Sequence, residues 1–163
     1  MQALTPEHVQ TVLDSFNLGL ESKQYNQPTP TSELAAAAIG CTVAQIAKSL
    51  CFVVNDEPIL VVASGVNTVD DRKLSKLLEV GRKKVKMAKP DQCIEIFGYA
   101  PGGVPPVGHR TDDIRIFLDN DLQQYERIWA AGGTANINFG LTPEQLEQIT
   151  DGTWADLVKE TEN

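Results

Sequence analysis

Residues 100–109 read APGGVPPVGH, a stretch holding three glycines, three prolines and one of the chain's two histidines. Glycine N–H groups with no side chain in front of them approach a carbonyl or a phosphate closely, as in an oxyanion hole or an anion-binding nest. Prolines restrict φ and hold such donors in place. Gly102 and Gly103 are therefore candidate donors, with the alternative that the loop is a turn between two elements. Lys48, in IAKSL, is a cation flanked by Ile46, Ala47, Leu50 and Cys51. It reads either as a site ammonium or as a long side chain reaching out to solvent.

Other chemistries find less to work with. The GxSxG pattern is absent, leaving Ser49 and Ser64 without a nucleophile's setting, and the GG pairs match neither GxGxxG nor GxxxxGK[ST]. A thiol route would pair Cys51 with His109, yet Cys51 opens an apolar run. Cys41, Cys51 and Cys93 form no CxxC, and His8 lies far from His109, so neither a disulfide framework nor a metal site is expected. No cofactor is expected either.

The chain has 163 residues, 42% hydrophobic and 22% charged, which suits a single soluble domain over 1–163. No apolar run reaches the length of a membrane span, and the start MQALTPEHVQ lacks the layout of a signal peptide. A cytoplasmic protein with no membrane partner is the expectation. The net charge of −8 is unevenly spread: 72–89 holds eight basic residues against Glu79, a local +7 that leaves −15 for the rest. Such a patch is either a solvated face or a seat for a polyanion.

The elements around these residues follow from caps and periods. TPEHVQTVLDSF predicts an N-terminal helix, placed over 5–18, with Thr5 as N-cap and Pro6 at the first helical position. The polar ESKQYNQPTPT reads as a surface connection ending at Thr31, and SELAAAAIG as a helix capped by Thr31 and stopped by Gly40. CTVAQIAKSL predicts a helix carrying Lys48 near its end. CFVV and ILVVAS predict two antiparallel buried strands. A helix around Leu74, Leu77 and Leu78 is expected to start near Asp70 or Asp71 and to end at Gly81.

KKVKMA predicts a strand, and PDQCIEIFG a short helix between Pro90 and Gly98. IRIFLD, ERIWAA and ANINF predict three more strands, with Gly132 and Gly133 turning between the last two. TPEQLEQI predicts a helix, and the acidic tail after Trp154 is expected to fray. Mixed elements without βαβ alternation predict an α+β fold: a mostly antiparallel or mixed central sheet surrounded by helices.

IAKSL before two apolar strands, then VNTVDDRKLSKL, GYAPGGVPPVGH and WAAGGTANINF, in that order, resemble the YbaK-like family of free-standing aminoacyl-tRNA deacylases. This family is related to the editing domain of bacterial prolyl-tRNA synthetases. The resemblance runs over about 31–158, with the first helix as an extension. It implies hydrolysis of the ester between a wrongly attached small amino acid and the terminal ribose of tRNA, with tRNA-Pro as the candidate carrier. The partner it implies is aminoacyl-tRNA, with an aminoacyl-tRNA synthetase as a candidate second partner and no DNA.

The family lysine falls on Lys48, and its GxxxP loop on Gly102 to Pro106. The resemblance assigns catalytic roles to Lys48, Gly102, Gly103, Pro106 and His109. It places Thr31, Ser64, Asn67, Val104 and Gly108, with Gly132 and Gly133, on the substrate-binding surface. Many relatives carry a glycine turn where this chain has Val66, Asn67 and Thr68. Lys83, Lys84 and Lys86 are the expected contacts to tRNA. A non-hydrolytic module that binds tRNA or a small ligand is the alternative.

Overall fold

The computed structural model describes residues 1–26 and 31–160. Thr5 accepts a hydrogen bond from His8 N at 3.2 Å and opens α1 (Pro6–Asp14), which fully buries Val9 and Leu13. β1 (Ser22–Gln24) follows, and then α2 (Ser32–Ile39), with Thr31 as N-cap and Gly40 left-handed at φ 88°. A single 3-10 turn, Val43–Gln45, leads into β2 (Ala47–Val54). β3 (Glu57–Ser64) pairs antiparallel with β2 along its whole length. Asn55 and Asp56 turn the hairpin at φ 51° and 64°, where short polar residues best tolerate positive φ.

α3 (Asp71–Leu77) and β4 (Val85–Met87) come next, then α4 (Pro90–Gln92) running into a wide π turn, Cys93–Phe97, that ends at Gly98 with φ 101°. β5 (Arg115–Asp119), β6 (Ile128–Ala131), β7 (Ile137–Leu141), α5 (Pro143–Thr150) and β8 (Thr153–Ala155) complete the described chain. The fold is α+β. A five-stranded mixed sheet has the order β4-β2-β3-β5-β8, and a three-stranded antiparallel sheet the order β1-β7-β6.

Alternation along β3 divides the core. Leu60 and Val62 join Val9, Leu13, Phe97, Tyr99, Phe139 and Leu146, while Ile59, Val61 and Ala63 join Leu74, Phe117 and Leu157 on the opposite face. Among the described residues no helix is long and apolar enough to cross a membrane.

Five expectations change. The helix predicted across Lys48 is only the Val43–Gln45 turn, because Ala47 onward pairs residue for residue with β3 and that ladder outweighs a local periodicity. α3 stops before Gly81: Glu79 takes the left-handed φ of 56°, whereas Gly81 has φ −67°. The described part of the tail after Trp154 is held by β8 pairing with β5, by buried Leu157 and by Lys159 N donating to Thr68 O at 2.8 Å, and 161–163 lie outside the described residues. The polar connection includes β1, which pairs with β7; its Pro28 and Pro30 lie outside the described residues. The first helix ends at Asp14, and its buried face makes it part of the core.

Candidate active site

β4 covers the outer edge of β2 only from Phe52 to Val54, so Ala47 to Leu50 border a pocket of about 320 Å³. Its other walls are the start of α2 (Thr31, Ser32, Glu33, Ala35), Gly65, loop residues Gly102 and Val104, and Ala131 with Asn138 of the smaller sheet. Lys48 is half-buried here and donates from Nζ to Asn67 O at 2.6 Å. Burial lowers its pKa from the ordinary lysine value, against the negative charges of Glu33 and Asp119, which favour the ammonium.

Asp119, at the end of β5 and 1% exposed, braces this lysine from behind. One carboxylate oxygen accepts from Ser64 N at 3.0 Å and Asn67 Nδ2 at 2.8 Å, and the other from Asp121 N at 2.9 Å. Asn67 Nδ2 also donates to Asp121 Oδ2 at 2.9 Å. Asn67 thus has its side chain pinned by two carboxylates while its carbonyl holds the ammonium. Ser64 does not line the pocket: its hydroxyl donates to Ala44 O at 2.7 Å, and its burial makes it part of the same brace.

The 100–109 loop has two sides. Ala100 to Gly103 form a β-turn closed by Gly103 N donating to Ala100 O at 3.0 Å, with Pro101 second and Gly102 third at φ 89°. The Gly103 N–H is thereby spent, and the pocket receives Gly102 and Val104, whose N–H groups take no protein acceptor among the described residues. Gly103 serves packing instead. Its carbonyl accepts from Gly133 N at 3.0 Å, and a Cβ there would sit 2.8 Å from Thr134 Cα.

Pro106, Gly108 and His109 lie on the other side, lining a separate cavity of about 460 Å³ against His8, Val12 and Phe16 of the α1 region. His109 Nε2 pairs with Pro105 O at 2.7 Å, which requires the proton on that nitrogen because a carbonyl only accepts. Burial lowers the His109 pKa and the Pro105 bond opposes that shift. The ring packs edge-on to Phe97 and Tyr99. Tyr99, its hydroxyl raised to about 12 by burial, donates to Gly108 O at 2.7 Å. These groups clamp the loop from behind.

Gly132 and Gly133 also stand outside the pocket wall. A Cβ on Gly132 would meet Ile137 Cγ2 at 2.7 Å, and Gly133, at φ 114°, packs against Pro6 and Val9. Thr31 does line the pocket, its hydroxyl capping Leu34 N at 3.2 Å. Lys83, Lys84 and Lys86 are exposed. Lys86 pairs opposite Val53, five residues along β2 from Lys48, or roughly 17 Å at the usual strand rise. Cys51 is buried against Cys93 with its thiol pushed well up, so no thiolate is available at that position.

Sequence reasoning missed Ser32, Glu33, Ser49, Gly65 and Asn138 as pocket walls and Asp119 as the brace. Only Asp119 had a local signal, an acid ending the apolar run IRIFL. Among the described residues no group of three His, Cys, Asp or Glu is placed to hold a metal. The pocket therefore offers an ammonium, the Glu33 carboxylate, the hydroxyl-bearing Thr31, Ser32 and Ser49 and two loop residues with unpaired backbone N–H groups, and among the described residues no hydrogen bond joins one of those hydroxyls to a base. That set can bind an anion or an ester and stabilise an oxyanion.

Residues 26–149 match the family model described as an aminoacyl-tRNA editing domain. A relative named "Uncharacterized protein YwhH" from Bacillus subtilis is 31% identical over 156 residues, covering 94% of this chain and 97% of its own. "Putative Cys-tRNA(Pro)/Cys-tRNA(Cys) deacylase EbsC" of Enterococcus faecalis is 30% identical over 129 residues, 78% of this chain and 77% of its own. A solved structure described as "a putative trans-editing enzyme for prolyl tRNA synthetase" superposes with TM-score 0.89 at 37% identity, covering 97% of this chain and all of that one.

Proposed function

The chain belongs to the aminoacyl-tRNA editing domain family, and from that premise we propose that it is a trans-editing deacylase hydrolysing the ester of mischarged tRNA. The observation that carries this reading is one pocket lined by the Lys48 ammonium and by loop residues Gly102 and Val104, with no base hydrogen-bonded to a pocket hydroxyl among the described residues. An aminoacyl ester is already activated, so catalysis needs an oriented water and a stabilised oxyanion. In this reading Gly102 and Val104 N–H groups meet the ester carbonyl oxygen, and Lys48 meets the terminal phosphate or the aminoacyl end. Water adds to the carbonyl carbon and the bond to the ribose oxygen breaks. One proton of the water passes to the departing ribose oxygen and the other to solvent, so the ribose leaves as its hydroxyl and the amino acid as its carboxylate.

The neighbouring ribose hydroxyl helps to place the water, and Thr31 borders the amino-acid end. Gly103, Pro106, Gly108 and His109 act in this proposal by holding the loop in shape, and Ser64 and Asn67 by holding Lys48, with Gly132 and Gly133 supporting the loop's far side. A pocket of about 320 Å³ lies at the small end of ligand sites and suits a small amino acid on its ribose. Lys83, Lys84 and Lys86 are proposed to contact phosphates of the acceptor stem. The protein would act in the cytoplasm on aminoacyl-tRNA, alongside a synthetase.

The test is ester loss from a panel of mischarged tRNAs, led by alanyl- and cysteinyl-tRNA-Pro, against buffer and against Lys48→Ala. Lysine-dependent hydrolysis of one pair is expected. Folded protein that hydrolyses none of a broad panel would overturn the reading in favour of a binding module.

A further inference from the structure

A pocket this small takes the aminoacyl end and its ribose, so the unpaired nucleotides that precede the terminal one must lie on a neighbouring surface. Two surfaces flank it along β2. At one end Ile46 bridges to Trp129 of β6, the pocket lies along Ala47 to Leu50, and pairing of β2 with β4 begins at Phe52. The β4 flank carries lysines but no aromatic residue between 82 and 89.

The opposite flank is built differently. Register places Lys23 opposite Asn138 and Trp129 opposite Gly140, so these residues share the face of the three-stranded sheet that lies outward of core residues Phe139 and Leu141; on it Lys23 is exposed, Trp129 is half-buried against Ile46, and Asn138 is buried. They line a groove of about 450 Å³, and Asn138 belongs both to this groove and to the Lys48 pocket. The Arg127 guanidinium lies 5.5 Å from the Trp129 ring centroid, and Lys23 Nζ lies 5.4 Å from that of Tyr25. Gly140 is what admits the arginine: a Cβ there would come within 2.6 Å of Nε and Nη2. Gln45 Nε2 donates to Arg127 O at 3.2 Å and ties this strand start to the entry of β2. Glu21 is the one acid in the groove wall.

Aromatic rings and guanidinium planes alternating with cations form the surface on which single-stranded RNA binds, its bases stacked and its phosphates paired. We propose that the outer face of β1, β6 and β7 carries the unpaired 3′ nucleotides of the tRNA and delivers its aminoacyl end across Asn138 to Lys48. This assignment rests on the deacylase reading. It adds Lys23, Tyr25, Arg127 and Trp129 as a subsite that acts on affinity for the nucleic acid.

Two measurements test it. In the first, kcat/KM is measured on mischarged tRNA and on the same amino acid esterified to adenosine, for the intact protein, Arg127→Glu and Lys23→Glu. The cations held against these rings contribute to binding of stacked bases and their phosphates, so each variant should lower the ratio of the two values about fivefold or more. In the second, Trp129 fluorescence is followed in a Trp154→Phe background while a short single-stranded RNA ending in CCA is added. Quenching that weakens steeply with salt and is reduced by Arg127→Glu is expected.

An unchanged ratio in both folded variants overturns the proposal, as does absent quenching, even if the protein is an active deacylase. If no tRNA is hydrolysed at all, the enzyme reading fails and the quenching titration alone decides the groove. Lys23 and Arg127 are both exposed, and should Arg127→Glu fail to fold, Lys23→Glu decides the result.

Discussion

Asp119→Asn isolates the brace behind Lys48 from the pocket wall itself. The carboxylate accepts from Ser64 N, Asn67 Nδ2 and Asp121 N at 3.0, 2.8 and 2.9 Å. An amide keeps a single acceptor oxygen, so whichever way it turns at least one of those donors faces an NH2 group. Hydrogen bonds to charged groups contribute about 1.5–3 kcal/mol each. Losing one or two costs roughly 2–5 kcal/mol and lowers Tm by roughly 5–15 °C for a chain of this size. Asn67 loosens, and with it the carbonyl that holds Lys48 Nζ.

The electrostatic consequence has a definite sign. Burial already lowers the Lys48 pKa, while Glu33 and Asp119 oppose that shift. Removing the Asp119 charge lowers the pKa further, so the ammonium is lost at a lower pH. The alkaline fall of kcat/KM, corrected for base-catalysed ester loss in buffer, should therefore move to lower pH. At neutral pH kcat/KM should drop about ten- to thirtyfold, the equivalent of about 1.4–2 kcal/mol. Asp121→Asn, at an exposed position that shares only the Asn67 contact at 2.9 Å, should do less on both counts. A folded Asp119→Asn protein with its alkaline limb in place and kcat/KM within about twofold would refute the brace.

Gly103→Ala drives a Cβ against the Thr134 backbone at 2.8 Å and should cost about 1–3 kcal/mol as overpacking; an unchanged denaturation midpoint would contradict the packing role. His109→Gln tests the clamp through pH. The folded-state pKa of His109 lies below 6.5 because of burial, so the unfolded chain binds the proton first. Stability is then full above about pH 6.5 and falls as the pH drops through that value toward the folded pKa. The glutamine variant should lose this part of the acid slope in Tm, and an identical slope in both proteins would show that His109 does not titrate against folding. Replacing Lys83, Lys84 and Lys86 with Glu should weaken tRNA binding and flatten its salt dependence by up to about three units of log–log slope; unchanged binding would leave the patch a solvated face.

Local chemistry was legible at most positions where a residue acts on backbone within a few positions of itself. Thr5 and Thr31 cap the helices expected of them, Gly40 and Gly98 take the left-handed φ that ends an element, and Pro101-Gly102 makes a turn. Lys48 was singled out by type, yet its element was misjudged. A 3.6-residue period over ten positions cannot be told from a strand when the deciding contact is a partner eleven or more residues away.

The site was only partly legible. Gly103, Pro106 and His109 stand next to Gly102 in sequence, but the turn at Ala100–Gly103 and the Tyr99 and His109 hydrogen bonds send them to the loop's far side. Asn138, Gly65 and Glu33 reach the pocket from three separate elements, and nothing in their local sequence announces it.

By itself the sequence determined the caps, the turns, the apolar strands, the rigid loop and the order of motifs that marks the family, because each depends on residues within a few positions of one another. Tertiary structure decided which of those residues meet. Pairing of β2 with β3 turns Lys48 toward Asn67, and parallel pairing of β5 with β3 brings Asp119 beneath it. Burial there makes a lysine's charge depend on a carboxylate 71 positions further along the chain, a coupling set by distance in space and low dielectric.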